Sequence, residues 1–379
     1  MMALIGAPFR NSRRVRALLV LSLTIGLTGA SGPAAANEIF AVRDIAVDKR
    51  AGTASAAREL ALAESRQTAY RTVLRRITLP EDFDRHPALD DADIAGLVQS
   101  FDIANEKTSQ TRYLADVTVR FARQSVRELL QAFSIPFSET AARPLLIIPV
   151  YQAAGLKLLW EDGNPWFTPW VAQEGKSGLR PVIAPLGDLE DITSINLDRV
   201  AAGDAETIAA AKQRYQTAGV LVALADLKRD LLNAKNVLRV TLTEYGTDAE
   251  NTEVMTFEDP VVDDVGPFLA RTVDEIMMRR ETEWKRRTLL DFDHEDKLVA
   301  IVPLDGIQTW LTVQQRLYSL AEVRKIEVTA LSARAAHLTV SYLGQAAQLT
   351  VALAERGLTL QEQEGYWTLK LADQAAASN

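Results

Sequence analysis

The sequence contains no cysteine and only three histidines among its 379 residues. Without cysteine the chain can form no disulfide, thiolate nucleophile or Cys-ligated zinc site. The histidines, His86, His294 and His337, show no paired metal-binding spacing and belong to no H-E-x-x-H motif. Nucleophile-elbow and phosphate-loop motifs are missing as well. We therefore predict a protein with no catalytic residues, no metal and no cofactor.

Residues 1–36 have the pattern of a secretory signal peptide. Four arginines precede the apolar run Ala17–Ala30, and small residues follow it up to Ala36. We predict cleavage after Ala36 and export to the periplasm. The alternative is an uncleaved membrane anchor, but 14 apolar residues are fewer than the ~20 that a spanning helix needs. We also predict that no transmembrane segment remains after cleavage.

Acidic residues outnumber basic ones, 50 to 42, which gives a formal net charge of −8. Removal of residues 1–36 takes away four arginines and no acid, so the charge of the mature chain becomes −12. Nonspecific nucleic-acid binding needs a concentrated basic surface. The charge balance therefore argues against a nucleic-acid partner.

The hydrophobic periodicities predict an α/β (α+β) protein made of three small domains. Residues 37–141 read as a βααββα domain, in which Thr53 or Ser55 caps a long helix with an alanine-rich first half. Residues 142–292 begin with parallel strands, continue as an antiparallel meander and end in a long helix. Residues 293–373 follow the β-α-β-β-α-β order of the split βαβ, or ferredoxin-like, arrangement. Residues 374–379 are predicted to be a disordered tail.

Three segments carry a resemblance to a known family: IAVDKRAGTASAARELALAESRQTAYRTVLRRIT, YLADVTVRF and PLLIIPVY followed by LWEDGNPW. They resemble the exported proteobacterial proteins grouped as domain of unknown function 2066. In pattern, the first two domains are also similar to those of periplasmic assembly factors such as the flagellar T protein. There, an alanine-rich helical domain precedes one similar to the N-terminal domain of TolB. The resemblance implies binding rather than catalysis.

The segment LWEDGNPWFTPW holds three of the six tryptophans of the chain. Tryptophan suits interfaces and sugar-stacking sites because it combines a large apolar area with a polar N–H group. We predict a binding site formed by Trp160, Asp162, Asn164, Trp166 and Trp170. In this prediction Trp160 is buried, and Trp166 and Trp170 are partly exposed at the edge of a groove between the first two domains. The alternatives are a glycan or small-ligand site, and rings that pack inward and seal the seam between those domains.

Two charged runs are further candidate sites. DFDHED, at residues 291–296, could gather around a hard cation, but Asp296 and Val302 occupy the positions where an EF-hand needs glycine and glutamate. A solvated linker is the favoured interpretation. RRETEWKRR, at residues 279–287, could face acidic headgroups or an acidic partner. Helical spacing instead favours a solvated face, with Trp284 docking the helix on its own sheet.

Together these features predict a non-catalytic periplasmic interaction or scaffold protein that serves cell-envelope assembly or maintenance. The predicted partner is an envelope protein. One alternative is a glycan- or small-ligand-binding module that uses the tryptophan-rich segment. Another is a hydrolase whose carboxylate pair assembles only in three dimensions. The oligomeric state stays open.

Overall fold

The computed structural model describes residues 39–161, 163–247, 251–290, 292, 294–363 and 366–372, which belong to one compact unit. The predicted signal peptide and C-terminal tail lie outside the described residues. The unit contains three separate sheets of three, six and five strands, each with helices beside it. The predicted α/β class with three sheet-containing modules is confirmed.

The first module, residues 39–132, is a three-stranded antiparallel sheet in the order β1-β3-β2, covered by the long helix α1. Thr53 caps α1 by accepting a hydrogen bond from the Ala56 N–H at 3.2 Å. Ala57 and Ala61 are fully buried, because a methyl side chain lets the helix lie close to the sheet. The elements are β1 (Ala41–Arg50), α1 (Ala54–Ile77), a 3-10 helix (Pro80–Arg85), α2 (Asp91–Leu97), β2 (Val98–Thr108), β3 (Arg112–Phe121) and α3 (Arg123–Ala132).

The second module, residues 145–287, is a mixed sheet in the order β5-β4-β7-β8-β9, with β6 also paired to β4. Strand β4 runs parallel to β6 and β7, and the other pairings are antiparallel. Apolar clusters cover both faces of β4, which explains its unbroken apolar run. The elements are β4 (Leu145–Ala153), β5 (Leu156–Leu158), α4 (Phe167–Val171), β6 (Val182–Ile183), α5 (Leu189–Ser194), α6 (Leu197–Ala201), α7 (Ala205–Tyr215), β7 (Gly219–Asp230), β8 (Lys235–Tyr245), β9 (Asn251–Pro260) and α8 (Gly266–Arg287).

Helix α7 ends without a glycine cap. The left-handed residue at its C-terminus is Gln216, with φ of 52°, although Gly219 follows three residues later. Gly219 instead begins β7, where an added Cβ would lie 2.6 Å from the carbonyl oxygen of Tyr245. The glycine is therefore needed for a close backbone approach and not for a helix cap.

The third module, residues 295–372, has the strand order β11-β12-β10-β14-β13. Its first three strands and two helices follow the predicted split βαβ arrangement. The terminal hairpin adds one strand: β14 pairs in parallel with β10 at Ala300 and Trp367, so β13 lies at the edge. The elements are β10 (Glu295–Pro303), α9 (Ile307–Tyr318), β11 (Val323–Leu331), β12 (Ala335–Leu343), α10 (Ala346–Glu355), β13 (Leu358–Gln363) and β14 (Tyr366–Leu371).

None of the helices in the described part of the chain combines the length and the apolar character needed to cross a membrane.

Candidate functional site

Two of the predicted binding tryptophans are core residues. Trp166 and Trp170 are fully buried, and their rings meet edge to face with centroids 5.7 Å apart. The Trp166 indole N–H donates to the Ala223 carbonyl of β7 at 3.0 Å. Both rings belong to the core between the second sheet and α8. The prediction that they are partly exposed at a groove between the first two modules is therefore wrong.

The other members of the predicted site are also held away from a common surface. Asn164 is buried, and its amide nitrogen donates to the carbonyls of Pro149 at 3.0 Å and Leu159 at 3.1 Å. Trp160 is half-buried on the opposite face of the sheet, where its N–H donates to the backbone at 3.1 Å. Asp162 lies outside the described residues. The tryptophans of the segment thus pack into two separate cores, on opposite faces of the second sheet. The Asn164 side chain holds the segment in place through hydrogen bonds to backbone carbonyls.

The basic run at the end of α8 joins two modules. Trp284 packs into the core of the first module, and its N–H donates to the Thr140 carbonyl at 2.6 Å. Lys285 is buried and donates to the carbonyls of Arg75 at 3.0 Å and Thr78 at 2.7 Å. These carbonyls lie at the C-terminus of α1, where a cation is favoured. The expectation that Trp284 docks on its own sheet is wrong, because its ring lies in the core of the first module.

Residues 133–143, which we call the junction segment, contact all three modules. Phe137 forms isolated bridges with Thr78 of the first module and with Leu290. The Thr140 hydroxyl donates to the Glu322 carboxylate of the third module at 2.6 Å. The Ala142 N–H donates to the Leu179 carbonyl of the second module at 2.8 Å. The predicted boundary at residues 141–142 therefore falls within a buried structural joint.

Glu139 of the junction segment is a buried anion with two cationic partners. Its side chain is fully buried, and its carboxylate oxygens lie 2.6 Å from Nε of Arg123 and 2.6 Å from Nε of Arg127. Arg127 adds a second bond at 2.8 Å. Both arginines belong to α3, so the bidentate geometry fixes the junction segment against the first module.

Glu322 is the least well-compensated carboxyl of the joint. Its side chain accepts one hydrogen bond from Thr140, and its second oxygen has no hydrogen-bond partner among the described residues. Burial raises the pKa of Glu322, the Thr140 hydroxyl opposes that rise, and Glu139 adds to it. The native protein therefore holds a proton at Glu322 over a pH range in which the unfolded chain has released it.

We expect Glu322→Gln to raise the free energy of unfolding at pH 7. Above the ordinary pKa of 4.5, the native state binds more protons at this group than the unfolded state, so its contribution to stability falls as the pH rises. Glutamine keeps an acceptor for Thr140 and removes this dependence. Urea unfolding at pH 7 and at pH 4.5 measures the effect, and the gain should shrink at the lower pH.

Glu327→Gln is the matched control for this experiment, because Glu327 is exposed and its pKa is lowered by Lys325. The control should leave the free energy of unfolding nearly unchanged at both pH values. A Glu322→Gln protein that is less stable than the parent at pH 7 would show that the buried carboxylate stabilises the joint.

A cavity of about 350 Å³, the interface cavity, lies between the first and second modules. The first module contributes Arg75, Pro80 and Phe83 to its wall, and the second contributes parts of residues 173–182 and of α8. Protein pockets that combine apolar walls with a few polar groups are the usual places for ligands. This cavity is the candidate functional site.

Three ionisable groups of α8 line the interface cavity, Asp274, Glu281 and Lys285, and burial shifts the pKa of the last two. Burial raises the pKa of Glu281, and Lys285 opposes the rise. For Lys285, burial lowers the pKa and Glu281 opposes the fall. Both side chains form hydrogen bonds with the backbone. The Leu179 N–H donates to Glu281 at 3.1 Å, and Lys285 donates to the carbonyl of Thr78 at the C-terminus of α1. A side chain at Gly178 would place its Cβ 1.8 Å from the Glu281 oxygen. We interpret the pair as structural.

A second cavity of about 360 Å³, the basic cavity, adjoins the first, and Arg75 and Phe83 line both. It lies between α1 and residues 86–89. The Arg75 guanidinium stands 5.3 Å from the centroid of the Phe83 ring. The two adjoining cavities are together called the groove. Sequence reasoning missed this groove, although the spacing of Arg71 and Arg75 on α1 was available as a signal.

No group of three or more metal-binding side chains occurs within the portion of the chain that the structure describes. His86 is half-buried in the wall of the basic cavity, and its Nε2 lies 2.8 Å from the Thr78 hydroxyl. Burial, followed by Arg75, lowers the pKa of His86. Asp291 and Asp293 of the acidic run lie outside the described residues.

These features describe an α/β protein whose three sheet modules meet at a buried joint beside a groove. A family model described as a domain of unknown function (DUF8605) matches residues 41–139, from the start of β1 to the buried glutamate of the joint. No curated protein matches the chain. This family is not domain of unknown function 2066, which the sequence analysis named. The resemblance to that family stays a prediction.

Proposed function

We propose that this protein is a non-catalytic interaction protein of the periplasm, serving cell-envelope assembly or maintenance, and that its partner enters the groove between the first and second modules. The groove is the observation that carries the proposal. Its two walls are held by buried contacts of Trp284 and Lys285, so the binding surface exists before a partner arrives. The signal-peptide pattern supports export of the chain.

The two alternatives have less support. A glycan site in the tryptophan-rich segment would need exposed rings, and Trp166 and Trp170 are buried. A hydrolase dyad would need a second carboxyl beside Glu281 with a raised pKa. The other carboxyl that lines the interface cavity is Asp274, and hydrogen bonding from Gln173 lowers its pKa.

Site-specific photo-crosslinking in living cells tests the proposal. A photoreactive residue at Met278, which lines the interface cavity and is 59% exposed, should capture a discrete envelope protein. The matched position is Leu232, which is 98% exposed at the hairpin beyond β7, at the opposite end of the second sheet. Equal capture from both positions would contradict a partner in the groove. Turnover of an envelope substrate that depends on one polar residue would contradict the non-catalytic role.

A further inference from the structure

The basic cavity differs in charge from the rest of this acidic protein. Its lining contains two guanidinium groups, those of Arg71 and Arg75, and no carboxylate. Acidic residues outnumber basic ones in the whole chain, 50 to 42. A cavity lined by cations without anions attracts negatively charged groups and raises their local concentration.

The arginines of α1 fall into two groups. Arg58 pairs with Glu106 and Arg66 pairs with Asp91. Arg76 is buried and donates to backbone carbonyls. Arg71 and Arg75, which line the basic cavity, form no ion pair with any residue that the structure describes.

Arg71 and Arg75 are also placed to act together. Residues four apart on a helix lie on the same face, with Cβ atoms about 5–6 Å apart. Arg75 is held over the Phe83 ring. Both guanidinium groups are therefore available to one extended anionic ligand, and each can bind a carboxylate through two hydrogen bonds.

The wall opposite these arginines is held in place by hydrogen bonds. The Tyr70 hydroxyl donates to the Pro87 carbonyl at 2.9 Å, and the Gln67 amide donates to the Leu89 carbonyl at 3.2 Å. Both donors belong to α1, so residues 86–89 are fixed to the helix that carries the arginines. A ligand would enter a preformed cavity, which reduces the ordering cost of binding.

The interface cavity gives the other end of the groove an apolar character. Met277, Met278 and Val182 line it, and Met278 is 59% exposed. Methionine adapts its shape to different apolar side chains. Lys176 and Asp274 at this end form an ion pair at 3.1 Å, so their charges offset each other.

We propose that the groove binds an extended acidic peptide segment of a partner protein. Carboxylates of the segment bind Arg71 and Arg75, and an adjacent apolar side chain packs on Met278. This inference rests on the proposed function and names the chemistry of the partner. One peptide can carry acidic and apolar side chains at neighbouring positions. The acidic side chains match the basic end of the groove, and the apolar side chains match its apolar end.

Fluorescence anisotropy of labelled synthetic peptides with the mature chain tests the inference. The peptides carry two glutamates before two leucines at several spacings, and matched peptides carry glutamines instead. At least one acidic peptide should bind roughly tenfold more tightly than its glutamine counterpart, and added salt should weaken it. Arg71→Gln and Arg75→Gln should each weaken that binding by about fivefold or more. Arg324→Gln, which removes an exposed arginine of the third module, should leave it unchanged.

Three results would overturn the inference: no preference for glutamate over glutamine, unchanged binding by the arginine variants, or saturable binding of inorganic phosphate without peptide binding. The last result would reduce the cavity to a site for a free anion. If Met278 captures a partner in cells while the acidic peptides fail to bind, the interaction role stands and the acidic-peptide inference falls.

Discussion

Trp166→Ala is expected to lower the free energy of unfolding by about 3–5 kcal/mol, as large aromatic truncations in a core do. The ring is fully buried, contacts the edge of Trp170 and donates a hydrogen bond to Ala223. Its removal would leave a cavity between the second sheet and α8 and would remove the hydrogen bond from the indole N–H to the Ala223 carbonyl. A loss of this size is a large share of the usual ~5–15 kcal/mol stability of a protein. Urea unfolding followed by circular dichroism measures the change.

Leu232→Ala is the matched control, because this large apolar side chain is 98% exposed at a hairpin. Its substitution should change the free energy of unfolding by no more than about 0.5 kcal/mol. Trp166→Phe separates the two contributions, since it keeps most of the ring volume and removes the N–H donor. A Trp166→Ala protein as stable as its parent would mean that the tryptophan-rich segment is not part of the core.

Glu139→Gln is expected to destabilise the protein by about 2–4 kcal/mol. Removing one member of a buried ion pair costs about 3–5 kcal/mol because it leaves an uncompensated charge. The expected value is lower here, since the Arg123 and Arg127 side chains are 30% and 20% exposed and water can partly solvate them. Chemical denaturation at neutral pH gives the value.

Asp102→Asn provides the comparison for this variant. Asp102 forms an ion pair with Arg120 of the same module, but its side chain is 63% exposed. Its substitution should cost no more than about 1 kcal/mol. If both variants lose the same small amount, the buried carboxylate contributes little to holding the joint together.

Much of the fold could be predicted because it depends on local patterns. The stripe of Trp310, Val313 and Leu317 in α9 is buried as the helical spacing indicates. The continuous apolar run of β4 corresponds to a strand covered on both faces. Such periodicities show which face of a helix or strand is buried. They also distinguish a helix from a strand, whatever elements pack against it.

The candidate site could not be predicted in the same way. A tryptophan suits a core and a binding surface equally well, so the composition of the segment around Trp166 did not distinguish burial from exposure. The outcome depends on contacts with α8, about one hundred residues later in the chain. Likewise, the basic run of α8 gave no sign that Lys285 caps a helix more than two hundred residues earlier.

The amino-acid order thus specifies the elements, the three sheets and the absence of cysteine chemistry, since each follows from residue types and their spacing. The buried joint and the groove come from tertiary packing. Arg66 and Arg71 belong to the same helix, yet Arg66 meets Asp91 while Arg71 faces a cavity without acids. Whether a charge is paired, buried or free to bind depends on which distant residue folding places beside it, and no local pattern records that neighbour.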